Sequence, residues 1–133
     1  MSFTDYLELE LLDHILGPGA YTAPTSVWIA LSTTTPLDDG TNFTEPAAGA
    51  YARVEVVNSP ANWPAAAAGQ KKNAATVTFP TATAAWGTIT YVGIFDAVSG
   101  GHLLMTGALG TTRVVNADDV AEFLADSIVV SLT

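Results

Sequence analysis

The longest apolar pattern in the chain runs from Trp86 to Leu109 and predicts a β-hairpin. Along its first strand both alternating sets of side chains are mainly apolar: Ile89, Tyr91, Gly93 and Phe95 form one set, and Thr90, Val92 and Ile94 form the other. Since alternate side chains of a strand point to opposite faces of the sheet, this strand is predicted to lie centrally. Asp96, Ser99, Gly100 and Gly101 then supply a turn, and His102 to Leu109 returns antiparallel.

Three glycines of this hairpin are predicted to serve the backbone rather than a ligand. Gly93 interrupts a strand that is apolar on both sides, where glycine usually marks a bulge or the close approach of another element. Gly100 and Gly101 tolerate positive φ angles, and the side chain of Asp96 can bond its own backbone in a turn. We therefore interpret these four residues as structural.

The opening segment, Ser2 to Leu16, has the spacing of an amphipathic helix of about four turns. Its apolar residues form one stripe, which consists of Phe3, Leu7, Leu11, Leu12, Ile15 and Leu16. Ser2 is predicted to cap the helix, and Gly17-Pro18-Gly19 to end it, because proline cannot continue a helix. Such a stripe must be covered, either by the protein's own sheet or by a neighbouring subunit. These six residues are therefore the candidate assembly contact.

Shorter alternating segments separated by turns predict the other strands, at residues 26–32, 51–57, 75–79, 113–116 and 127–132. In the second segment we expect Val54 and Val56 to point inward, and Arg53 and Glu55 outward. The whole pattern predicts a mainly β fold, an antiparallel β-sandwich of about seven strands with one N-terminal α-helix. Residues 1–19 would form the helix and its Gly-Pro corner, and residues 20–133 a single sandwich domain.

Composition narrows the classes of partner. The 133 residues include 13 acidic and only 4 basic ones, a net charge of −9, so a phosphate backbone would be repelled and no nucleic-acid partner is expected. Charged residues make up 13% of the chain, about half the usual share of roughly 25%. The resulting surface suits close contact with a partner, or it reflects a β protein rich in Thr and Ala turns. No apolar run approaches the roughly 20 residues of a membrane span, so no membrane insertion is expected.

No pattern of catalytic or cofactor-binding residues is evident. Signatures of hydrolases, kinases, P-loop proteins, dinucleotide enzymes and zinc proteases are missing, and cysteine is absent. The acidic loop from Asp38 to Glu45 suggests calcium binding, but its oxygen-bearing side chains lack the spacing of an EF-hand loop. We therefore expect no catalytic residue, no cofactor and no metal, and this loop is the one place where a metal stays an alternative.

Four stretches that span nearly the whole chain carry a family likeness. They are Ser2-Phe3-Thr4-Asp5-Tyr6-Leu7 with Leu11-Leu12-Asp13-His14, Tyr21-Thr22-Ala23-Pro24 with Val27-Trp28-Ile29-Ala30-Leu31-Ser32, Tyr51-Ala52-Arg53-Val54 with Asn62-Trp63-Pro64, and Gly93-Ile94-Phe95-Asp96 with Ser99-Gly100-Gly101. In this order they resemble a family of small bacteriophage virion proteins commonly labelled tail-fibre proteins. The resemblance implies a non-enzymatic, β-rich component of the phage particle, made in the host bacterial cytoplasm and located in the virion.

The same resemblance implies that the partners are other copies of the chain, as a homotrimer, and other virion proteins of the capsid, neck or tail. The protein would then dock on the particle as a tail-fibre, neck or capsid-decoration component. A carbohydrate-binding or host-adhesion module, with a host surface glycan as partner, is the alternative, and a small glycan hydrolase is less favoured. Exposed aromatic residues in one groove would indicate the binding module, and a close carboxylate pair lining a cleft would indicate the enzyme.

Overall fold

The computed structural model describes residues 1–132, which form a mainly β structure with a single helix. About 35% of the chain is strand and 9% is helix. The elements are β1 (Ser2–Phe3), α1 (Asp5–Leu16), β2 (Ser26–Ser32), β3 (Val54–Val57), β4 (Gln70–Lys72), β5 (Val77–Thr78), β6 (Gly87–Phe95), β7 (Leu103–Val115), β8 (Glu122–Phe123) and β9 (Val129–Ser131). The predicted fold class is confirmed, although the described residues form nine strands rather than about seven.

β6 lies at the centre of a five-stranded antiparallel sheet with the strand order β1-β7-β6-β2-β3. It pairs with β2 on one side, where Ile94 lies opposite Ile29, and with β7 on the other, where Ile94 lies opposite Met105. The last four residues of β6, from Val92 to Phe95, are all buried. The predicted central position of this strand is therefore correct, since both faces of the sheet are covered there.

The main hydrophobic core lies on one face of this sheet. Ile29, Val92 and Ile94 of the sheet pack in one cluster with Phe79 and Trp86, which come from the segments beside β5 and β6. Two short antiparallel pairs, β4 with β9 and β5 with β8, add further residues to the same cluster. The described residues thus form a sandwich-like arrangement in which the second layer consists of short strand pairs.

The opposite face of the sheet carries a smaller apolar cluster. Its buried residues are Ala30, Phe95 and Leu103, and Trp28 and Phe43 pack against them. The ring of Phe43 meets that of Phe95 edge to face, with 5.2 Å between their centroids. The loop between β2 and β3 therefore covers this face.

The helix begins later than predicted. Ser2 and Phe3 pair with Thr106 and Met105 of β7, so Ser2 lies in β1 and does not cap the helix. Thr4 occupies the cap position, but its hydroxyl donates to the carbonyl of Leu103 and accepts no hydrogen bond from the first turn of α1. The end of the helix is as predicted, because α1 stops at Leu16 before Gly17. Pairing with a strand that lies about 100 residues away along the chain overrides the local helix signal.

The two strands predicted at residues 102–109 and 113–116 are parts of one strand, β7. This strand pairs with β6 on both sides of a bulge in which residues 109–112 lie opposite the single residue Thr90. The register of β7 against β6 shifts across the bulge, where four residues of β7 that are not buried leave the ladder. The alternation therefore breaks although the strand continues.

Candidate functional site

The predicted apolar stripe of α1 divides into a covered part and an uncovered part. Leu7 is buried, and Phe3 and Leu11 pack partly against the main core. Three stripe residues are not covered by the described part of the chain: Leu12 is 56% exposed, Ile15 is 72% exposed and Leu16 is 81% exposed. The alternative that the protein's own sheet covers the stripe thus holds for its first half only.

Leu9, which lies outside the predicted stripe, is also 64% exposed. In an α-helix the positions i, i+3 and i+7 share a face, so Leu9, Leu12 and Leu16 form one exposed row with Ile15 beside it. We call these four residues the α1 apolar face. Sequence reasoning missed Leu9 because it assumed that one stripe faces one body, whereas α1 has a covered side and a separate uncovered side.

Hydrogen bonds hold both ends of α1 in place. Before the helix, β1 pairs with β7, and the backbone N–H of Asp5 donates to the carbonyl of Asp38 at 2.8 Å. After the helix, the backbone N–H of Tyr21 donates to Nδ1 of His14 at 3.2 Å. The segments on both sides of α1 are therefore hydrogen-bonded to their neighbours, and the α1 apolar face lies on the helix between them.

A large apolar groove lies beside α1. It has a volume of about 610 Å³, and its lining includes Ile94 and Leu104 of the main sheet, Leu7 of the helix, and Ala66 of the loop before β4. Trp63 also lines it and is 8% exposed; its indole N–H has no hydrogen-bond partner within residues 1–132. The ring therefore contributes an apolar wall rather than an exposed stacking platform.

Positive charge lies at the edge of this groove. Lys71 of β4 lines the groove, and its ammonium donates to the carbonyl of Pro64 at 3.1 Å. Lys72, the next residue of this exposed strand, does not line the groove. Among the described residues that line the groove there is no Asp or Glu. The groove is thus an apolar surface with a cationic rim in a strongly acidic protein.

The hairpin turn after β6 contacts the other side of α1. The carboxylate of Asp96 accepts a hydrogen bond from the backbone N–H of His102 at 2.7 Å, and its second oxygen lies 3.0 Å from Nδ1 of the same residue. The ring of His102 stacks on that of Tyr6 with a centroid distance of 3.9 Å. Gly100 and Gly101 have φ angles of +59° and +69°. The turn thus supports the helix that carries the α1 apolar face.

Gly93 lies where a loop side chain approaches the sheet. A Cβ atom on this residue would come within 2.5 Å of the ring of Phe43 and 2.8 Å of Leu103. Gly93 itself pairs regularly with Ala30 and Thr106, and the register of β6 against β7 shifts one step later, between Ile94 and Phe95. The structure therefore places this glycine at a close approach beside a bulge.

Arg53 was predicted to point outward, but its side chain is only 6% exposed. Its guanidinium makes two hydrogen bonds with the carboxylate of Glu45, at 3.0 and 2.8 Å. It also donates to the carbonyls of Ala97 and Gly100, at 2.8 and 2.9 Å. The prediction was wrong because alternation assigns a face to a residue but does not reveal that a distant loop and turn cover that face. Arg53 joins the β2–β3 loop to the hairpin turn.

Glu45 belongs to the same hydrogen-bond network as Arg53. The hydroxyl of Tyr51 donates to Glu45 at 2.8 Å and accepts from the backbone N–H of Leu31 at 2.9 Å. Burial raises the pKa of Tyr51 well above its usual range. In the same loop, hydrogen bonds from Thr41 lower the pKa of Asp39. Within residues 1–132 no group of three or more His, Cys, Asp or Glu side chains could hold a metal ion.

Comparison with known protein families identifies a family to which the chain belongs. The family described as "Podophage GP4 fiber I protein gp80" matches residues 2–131, nearly the whole chain. The chain belongs to this fibre protein family. The predicted resemblance to phage tail-fibre proteins is confirmed, and membership makes the chain a structural component of a phage virion. No curated protein matches the chain.

The features that would distinguish a glycan-binding module or a glycan hydrolase from a fibre component can be read from the described residues. Trp63 and Trp86 are buried, and Trp28 packs into the smaller cluster, so these side chains do not form an exposed aromatic row. The groove carries no carboxylate pair over residues 1–132. No helix in that range is long and apolar enough to cross a membrane. The site of this fibre protein therefore consists of an apolar helix face and an apolar groove.

Proposed function

We propose that this fibre-family protein is a non-enzymatic part of the phage particle that forms a homo-oligomer through the α1 apolar face and docks on the virion as that oligomer. The observation that carries the proposal is the exposure of Leu9, Leu12, Ile15 and Leu16, each more than half exposed. Four large apolar side chains on one fixed helix form a contiguous patch that is typical of an interaction site. Covering them with a partner removes apolar surface from water and stabilises the complex.

The oligomer that we propose is a trimer. Homo-oligomers are usually closed and symmetric, and phage fibres and decorations of this type are often threefold. The remaining partners are other virion proteins of the tail, the neck or the capsid. Charge supports protein partners over nucleic acid, since the net charge is −9 and Arg53 is already paired with Glu45.

A host-adhesion role and a glycan hydrolase are the alternatives to a purely structural component. Neither is favoured by a feature of the site, because the one indole ring that lines the groove within the described residues, that of Trp63, is buried and most of the other lining residues are apolar. A glycan site depends on polar groups that hydrogen-bond to hydroxyls, and glycosidic hydrolysis depends on two carboxylates that flank the bond. We therefore favour a structural component of the particle over a glycan-binding protein or a glycan hydrolase.

The proposal is tested by substituting exposed positions of α1. In the double variant Leu12→Glu/Ile15→Glu, both side chains are exposed, so the fold should survive, as circular dichroism would show. Sedimentation velocity should give an oligomer for the parent chain and a monomer for the variant. The matched control is Leu124→Glu, at a leucine that is 60% exposed outside α1, and it should behave as the parent.

Docking on the virion is measured separately. Phage particles grown with the double variant should lack the protein on gels of purified particles, whereas particles grown with Leu124→Glu should retain it. A parent chain that stays monomeric at all concentrations, or a double variant that is incorporated normally, would contradict the proposal.

A further inference from the structure

We infer that the apolar groove of one copy receives the α1 apolar face of the next copy. This inference rests on the proposed function and names the surface that the projecting helix contacts. Both halves of the contact are present on every copy: a fixed, uncovered row of aliphatic side chains and, beside the covered side of the same helix, an open apolar groove of about 610 Å³.

Apolar character matches across the two surfaces. The helix offers Leu9, Leu12, Ile15 and Leu16, and the groove offers Val27, Ile94, Leu104, Met105 and Val130 among its lining residues. An amphipathic helix that places its apolar side in a hydrophobic groove is a common mode of recognition, read as anchors at i, i+3 and i+7. Leu9, Leu12 and Leu16 have this spacing.

Charge also matches. The exposed side of α1 carries Asp5, Glu8 and Asp13, so the helix is acidic around its apolar face. The rim of the groove carries Lys71, and none of the described residues that line the groove is an Asp or Glu. A positive rim facing an acidic helix fixes the orientation of the contact and disfavours wrong partners.

The groove cannot receive the α1 apolar face of its own chain. Phe3 and Leu7, at the start of the same segment, line the groove, and the pairing of β1 with β7 holds them there. Leu12 and Leu16 lie beyond this anchored part and on a different side of the helix. The occupant that fits must therefore come from a second copy.

Charge further argues against a contact in which two helices meet face to face. Such an isologous contact would bring together two copies of a helix that contains four acidic residues and no Lys or Arg. Repulsion between like charges across an interface is unfavourable. A helix-to-groove contact joins two different surfaces, and in its heterologous form it closes into a ring when the rotation permits. This relation fits the threefold oligomer that we propose.

The test uses two variants that damage opposite halves of the contact. Leu12→Glu/Ile15→Glu damages the helix and leaves the groove intact. Ala66→Glu places a carboxylate in the groove and leaves the helix intact; Ala66 is exposed, so the fold should survive. Each variant alone should be monomeric in sedimentation velocity, and a mixture should give a one-to-one heterodimer, because one intact helix meets one intact groove. Leu124→Glu mixed with either variant is the control.

The outcomes separate this inference from the proposed function. If the parent chain is oligomeric and Ala66→Glu leaves it so, the groove is not the receiving surface, and the inference fails while the proposed function stands. If both variants are monomeric and remain so when mixed, an intact helix and an intact groove do not bind each other, and the inference fails. If Ala66→Glu oligomerises normally but is absent from purified particles, the occupant is another virion protein. A monomeric parent chain overturns both proposals.

Discussion

The guanidinium carbon of Arg53 lies 3.6 Å from the ring centroid of Phe95, so the cation stacks on an aromatic face while it also pairs with Glu45. Phe95 ends the central strand, and Glu45 belongs to the loop that covers the smaller cluster. This contact joins the sheet, the loop and the hairpin turn that supports α1. The Arg53 network thus reaches the turn whose His102 ring stacks on Tyr6 of α1.

We expect Arg53→Ala to lower the free energy of unfolding by about 3 kcal/mol, because removing one partner leaves a mostly buried carboxylate uncompensated. Arg53→Lys should lower the free energy of unfolding by less, since lysine keeps the positive charge although it cannot form the bidentate contact with the carboxylate. Urea denaturation measures both. Arg113→Ala, at an exposed arginine, is the matched control and should change stability by less than about 0.5 kcal/mol. Equal effects at both arginines would show that the Arg53 network adds nothing.

Gly93→Ala should destabilise the protein by about 1–3 kcal/mol, because the added methyl group overpacks the contact with Phe43 and Leu103. Gly110→Ala is the control, since a Cβ there meets nothing within 4 Å. Phe43→Leu frees space, so the double variant should lose less than the sum of the two single changes. Strict additivity in a double-mutant cycle would mean that Phe43 is not what excludes a side chain at Gly93.

Gly100→Val should lower the free energy of unfolding by about 1–2 kcal/mol, since a φ angle of +59° is strained for a residue with a branched side chain. A Cβ at this position meets nothing within 4 Å, so the cost comes from the backbone alone. Gly100→Asn should therefore lose much less, because asparagine tolerates this conformation. Thermal unfolding followed by circular dichroism tests the order. Similar losses for Asn and Val would point to a steric cause instead.

Asp39 should titrate below its ordinary value, and Thr41→Val should raise its pKa by removing the hydroxyl donor. Because the pKa is depressed in the folded state, ionised Asp39 adds stability above the unfolded value of about 3.9 and loses it as the pH falls through the folded value. The stability difference between parent and variant should therefore shrink at the lowest pH. NMR titration of the carboxyl carbon gives the pKa, and Thr112→Val is the control. An unchanged pKa in Thr41→Val would refute the assignment.

The pattern of apolar and polar residues was sufficient to predict those elements whose position depends on burial alone. β2 has the predicted bounds, residues 26–32, and β6 is central, because apolar side chains on both faces leave no other position for a strand. The end of α1 also follows from local chemistry at Gly17 and Pro18. These features depend on residues that are close in sequence or on which face of an element is buried. The periodicity of apolar residues carries both kinds of information.

Contacts between segments that are far apart in the sequence could not be predicted from the pattern of apolar and polar residues. The start of α1 depends on the pairing of Ser2 with Thr106, and the burial of Arg53 depends on Glu45 and on the carbonyl of Gly100. The candidate site was predicted only in part for the same reason. Leu12, Ile15 and Leu16 were identified, but the groove that lies beside the helix is formed by several separated segments.

The tie between Thr4 and β7 has a consequence for the order of folding. The backbone N–H of Thr4 donates to the carbonyl of Leu104 at 3.0 Å, across a separation of 100 residues. Contacts between residues so far apart form slowly, because a long loop must close before they stabilise anything. We therefore expect the helix to reach its final position only after the β6–β7 hairpin has formed. Association through α1, as we propose it, would then follow the folding of the sheet.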